Sequence, residues 1–388
     1  MLLSALVAGL ALFGTTTWPA RGVPVGCGAV LTSNTTLQKD LHCTGPGAAL
    51  VIGAANITVD LNGHTLTGDG TGVGIDNSGG FAHVSIKNGA IAGFGEGIRS
   101  VGASQLKLSG LAVAGCGFNI YLVDGEGVEI KDVAISGESA STYGIVCESV
   151  ANVAIKETTI NGCRIGVEFG SCGLGPGCPP QEDQRPTTGS IKGSAIADCF
   201  IGIGLPNTDD CTVQESGVSG CVQGIRVGVV SHSVRNVRII GNDISGNRPF
   251  GILAQANPLS PGLPLPLFDL EIKENHIHDN ARGVGLANVQ DSQISGNQIG
   301  NNLQFGLALF ETSSGNHVAD NVLTGNGTFG IILIPVLGDA ERPGPTGNRI
   351  TGNTATGNGV FDLFHSATST PNEWRDNLYN TKSGADIP

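Results

Sequence analysis

A short phrase, Gly-apolar-x-apolar, returns along nearly the whole chain. It opens at Gly74, Gly97, Gly144, Gly166, Gly202, Gly224, Gly251, Gly283, Gly306 and Gly330, and Asn119 once takes the place of the glycine. The base interval is 22 to 24 residues, stretched by occasional insertions. "ALVI" at Ala49 and "FDLF" at Phe361 read as the first and last copies. Self-similarity at this period marks a stack of small units, each too small to bury its own apolar side.

Each unit has three parts. The Gly-apolar strand comes first, then an alternating stretch such as "SVRNVRII" or "VANVAIKE", then a short segment such as "NDISGN". Alternation with period two leaves one face of every strand apolar. Three short strands separated by turns close one triangular coil, and coils stack at about 4.8 Å. The composition agrees: Gly is 61 of 388 residues, charged residues are 14% and aromatics 5%. This is an all-β, β-helix solenoid of about 12 to 13 coils, a rod roughly 60 Å long at that spacing. The expected organisation is a signal peptide (1–22), an N-terminal cap (23–48), the solenoid (49–370) and a C-terminal cap or tail (371–388).

Stacking places equivalent residues above one another. "GNDISGN" at Gly241 recurs as "ENHIHDN" at Glu274, "GNQIGNN" at Gly296, "DNVLTGN" at Asp320 and "GNTATGN" at Gly352. Asn242, Asn275, Asn297, Asn321 and Asn353 should form one ladder, and Asn247, Asn280, Asn302, Asn326 and Asn358 a second. Asn suits this role because it tolerates left-handed turn dihedrals and its amide can bond its own copy one coil away. Aligning Ile244 with Val218, Ile196, Ile160 and Val113 continues the second ladder as Cys221, Cys199, Cys163 and Cys116. Adjacent members could pair as disulfides or stand as buried thiols. Colinear ligands do not surround a tetrahedral ion. The pairing of Cys116, Cys147, Cys163, Cys199, Cys211 and Cys221 stays open. Cys27 and Cys43 precede the regular coils, and a disulfide between them would tie down the N-terminal cap. Cys172 and Cys178 would staple the insertion "SCGLGPGCPP".

Residues 2–13 form an apolar run too short to span a bilayer comfortably. A small, polar stretch follows, so the start reads as a signal peptide, and ten cysteines fit an exported chain. The expected location is secreted, periplasmic or cell-surface, with no membrane span in the mature chain. The net charge of −13 with scattered Lys and Arg argues against nucleic acid as a partner. Sequons stand at Asn34, Asn56 and Asn326.

Three segments carry a family resemblance: "VDLNGHTLTG" from Val59, "IKNGAIAGFGEGI" from Ile86, and the "GNxIxGN…GI" units. They resemble right-handed parallel β-helix proteins of the pectate-lyase-like superfamily. "NEWRDNLYNT" from Asn372 is similar to the closing segment of the branch that includes periplasmic copper-handling, NosD-like proteins. The resemblance covers about residues 27–382 and implies a right-handed coil. That fold hosts lyases, hydrolases, epimerases, adhesins and proteins of unknown role, so it does not fix an activity.

Members that act on polysaccharides generally use the sheet built here by the Gly-apolar strands. Its outward stripe would be Asp76, Arg99, Tyr121, Val146, Glu168, Gly204, Arg226, Leu253, Gly285, Ala308 and Ile332, polar in its first half. Glu96 precedes Gly97, and Glu148 ends its strand. Asp76, Glu96, Arg99, Glu168 and Arg226 are the candidate catalytic residues. A carboxylate–Arg cluster can bind a sugar acid, hold a divalent cation or abstract a proton. The plainer reading is solvated charges paired across coils at up to about 1 kcal/mol each. Long insertions after the strands at Gly166, Gly251 and Gly330 leave one corner of the coil, where loops on a rigid scaffold usually carry function. "NTDDC" at Asn207 reads as a turn, because its acids are fused and follow the strand. His276 and His278 flank Ile277 and point outward together, as a metal pair or as a solvated pair. Three functions follow: a carbohydrate-active or carbohydrate-binding protein (if an enzyme, a polysaccharide lyase or glycoside hydrolase), a non-catalytic scaffold, or a periplasmic metal-handling accessory.

Overall fold

The computed structural model describes residues 25–137, 141–170, 185–228, 234–256, 267–335, 344–366 and 371–388. The chain forms a right-handed parallel β-solenoid of about 13 turns, with no helix among the described residues. The Gly-apolar strands build one front sheet of 15 strands, from Ala29–Leu31 to Lys382–Ser383. The other two strands of each coil form the remaining walls, every pairing parallel and one coil apart.

The first apolar residue of the repeated phrase sets the register. Leu50, Ile75, Ile98, Ile120, Ile145, Val167 and Ile203 lie in one column. The column runs on through Ile225, Ile252, Val284, Leu307, Ile331 and Leu363, and all thirteen side chains are fully buried. Burying an aliphatic side chain of this size contributes about 1.5–3 kcal/mol, so columns of this kind hold the coils together. The recurring glycine has a steric cause. At Gly74, Gly144, Gly202 and Gly283 a Cβ would come within 2.2 to 2.7 Å of the next coil's carbonyl oxygen.

The expected three strands per coil appear with one variation. In Ser85–Ala92, Lys107–Ala114 and Glu129–Ser136 the second and third strands run together. Each bends at a left-handed residue, Asn88, Gly110 or Asp132, instead of breaking.

Both Asn ladders are present. Asn275 Nδ2 and N both donate to Asn297 Oδ1, at 2.9 and 3.0 Å, and Nδ2 also donates to Ile239 O. The pattern repeats from Asn242 to Asn377 and from Asn247 to Asn358, where Asp362 accepts the last amide. The left-handed conformation falls not on the ladder Asn but on the residue before it, such as Gly241, Glu274, Gly296, Asp320 and Gly352. The amide's role is therefore hydrogen bonding alone. The first ladder also extends backward through Ser216, Ser194 and Thr158. A third ladder, Ser292, Asn316, Asn348 and Asn372, occupies another corner. Asn326 is fully committed to its ladder and 1% exposed, which removes it as a glycan acceptor.

Cys163, Cys199 and Cys221 follow the register of Ile160, Ile196 and Val218 and lead into Asn247. They are buried thiols, not disulfides, and each Sγ donates to the carbonyl two residues earlier. Cys116 lies in the same column two coils from Cys163. A disulfide joins Cys27 and Cys43. Cys172, Cys178, the signal segment and the centres of the three long insertions lie outside the described residues.

Candidate functional site

The outward column of the front sheet starts at Asp76, Arg99 and Tyr121, one per coil. Val146, Glu168, Gly204 and Arg226 follow. Its polar residues fall into two groups joined by a bridge.

The first group is Asp76, Glu96 and Arg99. Asp76 and Arg99 are register partners, and Arg99 Nε lies 3.6 Å from Glu96 Oε2. That separation is an ion pair without a hydrogen bond, and both atoms are buried. Burial raises the Glu96 pKa, the Arg99 charge opposes the rise and the Asp76 charge adds to it. Asp76 Oδ1 is also occupied locally, by the Ser78 backbone N–H at 2.9 Å.

The bridge is Tyr121 with Glu148. The Tyr121 hydroxyl donates to Glu148 Oε2 at 3.1 Å. Glu148 closes the strand Tyr143–Glu148 and is only 4% exposed. Burial pushes its pKa up to about 7, the Tyr121 hydrogen bond pulls it down, and the Asp124 charge raises it. Tyr121 is itself pushed up by burial and by the Glu148 charge.

The second group is Glu168 with Arg226. Burial pushes Glu168 up to about 7, the Glu148 charge adds to this, and Arg226 and Arg164 oppose it. Burial lowers the Arg226 pKa, partly offset by Glu168. Gly204 lies between them in the column, buried and without a side chain of its own. A Cβ there would meet nothing nearer than 3.8 Å. Two carboxyls near 7, one of them beside the positive charges of Arg226 and Arg164, are the arrangement expected where protons move.

The five sequence candidates therefore separate into two clusters, and the residues between them were missed or undervalued. Glu148 had a visible signal, a charged residue ending an otherwise apolar "GIVC" strand. Arg164 had none, because it precedes its strand in a corner. Beyond Arg226 the front face changes character. Phe250, Phe305, Ala308 and Ile332 form an outer apolar cluster, with Phe329 and Phe364 packed against it. Arg282 lies over the Phe250 ring at 5.0 Å. "NTDDC" is not a turn: Thr208–Gln214 is a strand, and Asp209 Oδ1 accepts the Arg235 backbone N–H at 3.0 Å.

His276 and His278 occupy a side wall, on the strand His276–His278. Asp243 is the register partner of His276 one coil earlier.

Two family descriptions match this chain. "Right handed beta helix region" matches residues 47–176, and "Periplasmic copper-binding protein (NosD)" matches residues 184–329. This chain is a parallel β-helix repeat protein resembling NosD-like proteins. Among solved structures, the A-module of the Azotobacter vinelandii mannuronan C-5 epimerase AlgE6 is similar, with TM-score 0.63 and 14% identity over 90% of this chain and 91% of that one. The catalytic domain of a GH87 alpha-1,3-glucanase in complex with nigerose has TM-score 0.56 and 12% identity, over 92% and 70%. The Dettilon tailspike protein has TM-score 0.51 and 16% identity, over 84% and 60%. At these identities the likeness is one of fold. No curated protein matches the sequence closely enough to count as a relative.

Proposed function

We propose that this is an exported protein that binds a uronate-containing polysaccharide along the front sheet and moves a proton there, as a lyase does. Glu168 is the proton carrier, and Arg226 and Arg164 anchor the sugar carboxylate. The observation that carries the reading is Glu168, raised to about 7, with Arg226 two coils along the same outward column and only Gly204 between them. A group titrating near neutrality is divided between its acid and base forms, which suits proton abstraction. Neutralising a uronate carboxylate acidifies the adjacent C–H, the role this reading gives to Arg226. Tyr121 and Glu148 supply a second acid–base pair beside it. Asp76, Glu96 and Arg99 extend the polar strip as a subsite. The epimerase and glucanase likenesses support a carbohydrate ligand, and the leading apolar run with the Cys27–Cys43 disulfide supports export.

The test is incubation with a panel of acidic and neutral polysaccharides, scored for unsaturated uronate products and for binding. Glu168→Gln should lower turnover by at least about 100-fold with binding retained. Arg226→Ala should weaken binding, and Gly204→Leu, which puts a bulky side chain between Glu168 and Arg226, should weaken it too, with thermal melts as the folding check. A panel that yields neither products nor binding overturns the reading and leaves a rod-like scaffold or metal handling.

A second reading, metal handling, has its own support. The copper-binding family match spans 184–329, and His276 and His278 lie inside that segment.

A further inference from the structure

The geometry points to a divalent transition-metal site on the side wall, formed by Asp243, His276 and His278, with Asp279 orienting one imidazole. This inference gives the metal-handling reading its residues and is independent of the front-sheet chemistry.

The sequence shows only the two histidines. The third ligand comes from stacking. Asp243 precedes Ile244 as His276 precedes Ile277, so the solenoid places the carboxylate directly beside His276, 33 residues earlier in the chain. Asp243 Oδ1 lies 3.3 Å from His276 Nδ1 and 3.0 Å from His278 Nε2. The two rings stack with centroids 4.1 Å apart. One donor atom from each residue falls within 4.8 Å of the other two. An ion about 2.1 Å from its N and O ligands separates neighbouring donors by roughly 3.0 Å at a right angle and 3.4 Å at the tetrahedral angle. Both separations from Asp243 fall in that interval, and the two imidazole nitrogens lie within 4.8 Å of each other.

Asp279 adds what a hydrogen-bonded surface pair does not need. Its Oδ2 lies 2.7 Å from His278 Nδ1, the ring nitrogen turned away from Asp243. A carboxylate holding the far nitrogen of a ligating imidazole fixes the tautomer that leaves Nε2 free to bind. Asp279 can reach back because it is the left-handed residue ahead of the Asn280 ladder position, with φ of 54°. Two imidazoles and one carboxylate suit borderline ions such as Zn²⁺, Ni²⁺ or Cu²⁺ and discriminate against Ca²⁺ and Mg²⁺. Three ligands on an exposed face also leave coordination positions open to water or to an anionic ligand.

Titration calorimetry of the purified protein with Zn²⁺, Ni²⁺, Cu²⁺ and Mg²⁺ tests the site. The expected result is one ion per chain for the first three, tightest for Cu²⁺, and no heat from Mg²⁺. The double variant His276→Ala with His278→Ala should abolish binding, Asp243→Ala should weaken it by at least about 10-fold, and Asp279→Asn should weaken it by about 10-fold or more with stoichiometry unchanged. Thermal melts without metal serve as the folding check. Binding that persists in the double variant, or Asp243→Ala indistinguishable from the parent, overturns the assignment. Polysaccharide binding on the front sheet should be unaltered in the double variant, so the two proposals fail separately.

Discussion

One corner of the rod is built in two chemistries. From Asn247 to Asn358 the column is made of amides, each bonded to its next copy and to a carbonyl of the previous coil. From Cys163 to Cys221 the same column is made of thiols, which fill space, bond weakly to a local carbonyl and touch one another along the column. Both solutions are buried, from Asn247 to Asn326 and from Cys163 to Cys221, so the coil demands only a small side chain at this position. They differ in what they specify. An amide that slips by one residue loses several hydrogen bonds at once, whereas a thiol loses only contact area. The half with amides is locked in register; the half with thiols is held by packing and can be varied. The front face divides at nearly the same place, with the Glu and Arg groups over the thiol half and the aromatic cluster over the amide half.

The sharpest way to break this contrast is a deletion within a ladder. Asn297→Ala would take the side-chain donor from Ile272 O and the Oδ1 acceptor from both the Asn275 backbone N–H and its side-chain amide in a buried corner, while Asn321 Oδ1 keeps the backbone N–H of residue 297. The expected loss is about 3–4 kcal/mol in urea unfolding, against about 1 kcal/mol for Cys199→Ala. Equal losses would show that both halves rest on packing.

A pH series probes the other end of the contrast. Glu148 and Glu168 are raised from the ordinary 4.5 to about 7. Between those values the folded chain holds protons that the unfolded chain has released, so stability is complete below about 4.5 and is lost as pH rises to about 7. The melting temperature should fall across that window. Glu148→Gln should flatten the slope, a difference on the order of 2 kcal/mol. A melting temperature that climbs from pH 5 to 7 would contradict the burial of these carboxyls.

The smallest effect should come from converting one chemistry into the other. The Cys221 backbone N–H already donates to Asn247 Oδ1 at 2.9 Å. In Cys221→Asn the new amide would find the same acceptor and extend the ladder by one rung. Stability should stay within about 1 kcal/mol of the parent in the same urea assay. A loss well beyond that would mean that the thiol corner is narrower than the amide corner.

Much of this architecture could be read from the chain. The period, the outward column from Asp76 to Ile332 and the Cys-to-Asn column follow from alternation and fixed spacing, and the register reproduces them residue by residue. The Ser and Thr rungs before Asn242 were not legible, because hydroxyl residues are too common for three of them to stand out. Glu148 read as a surface charge, since its burial depends on neighbours outside its own coil. The aligned "GNDISGN" and "ENHIHDN" segments already set Asp243 opposite His276, but a single exposed Asp carries no metal signal until its carboxylate is seen within reach of both imidazoles.

The Asn275-to-Asn297 step spans 22 residues and carries no insertion. Cutting out residues 276–297 would bring Asn275 face to face with Asn321, an amide meeting an amide of identical aim. Rod length is thus a modular quantity, adjustable in whole storeys by duplication or excision without redesigning a single joint.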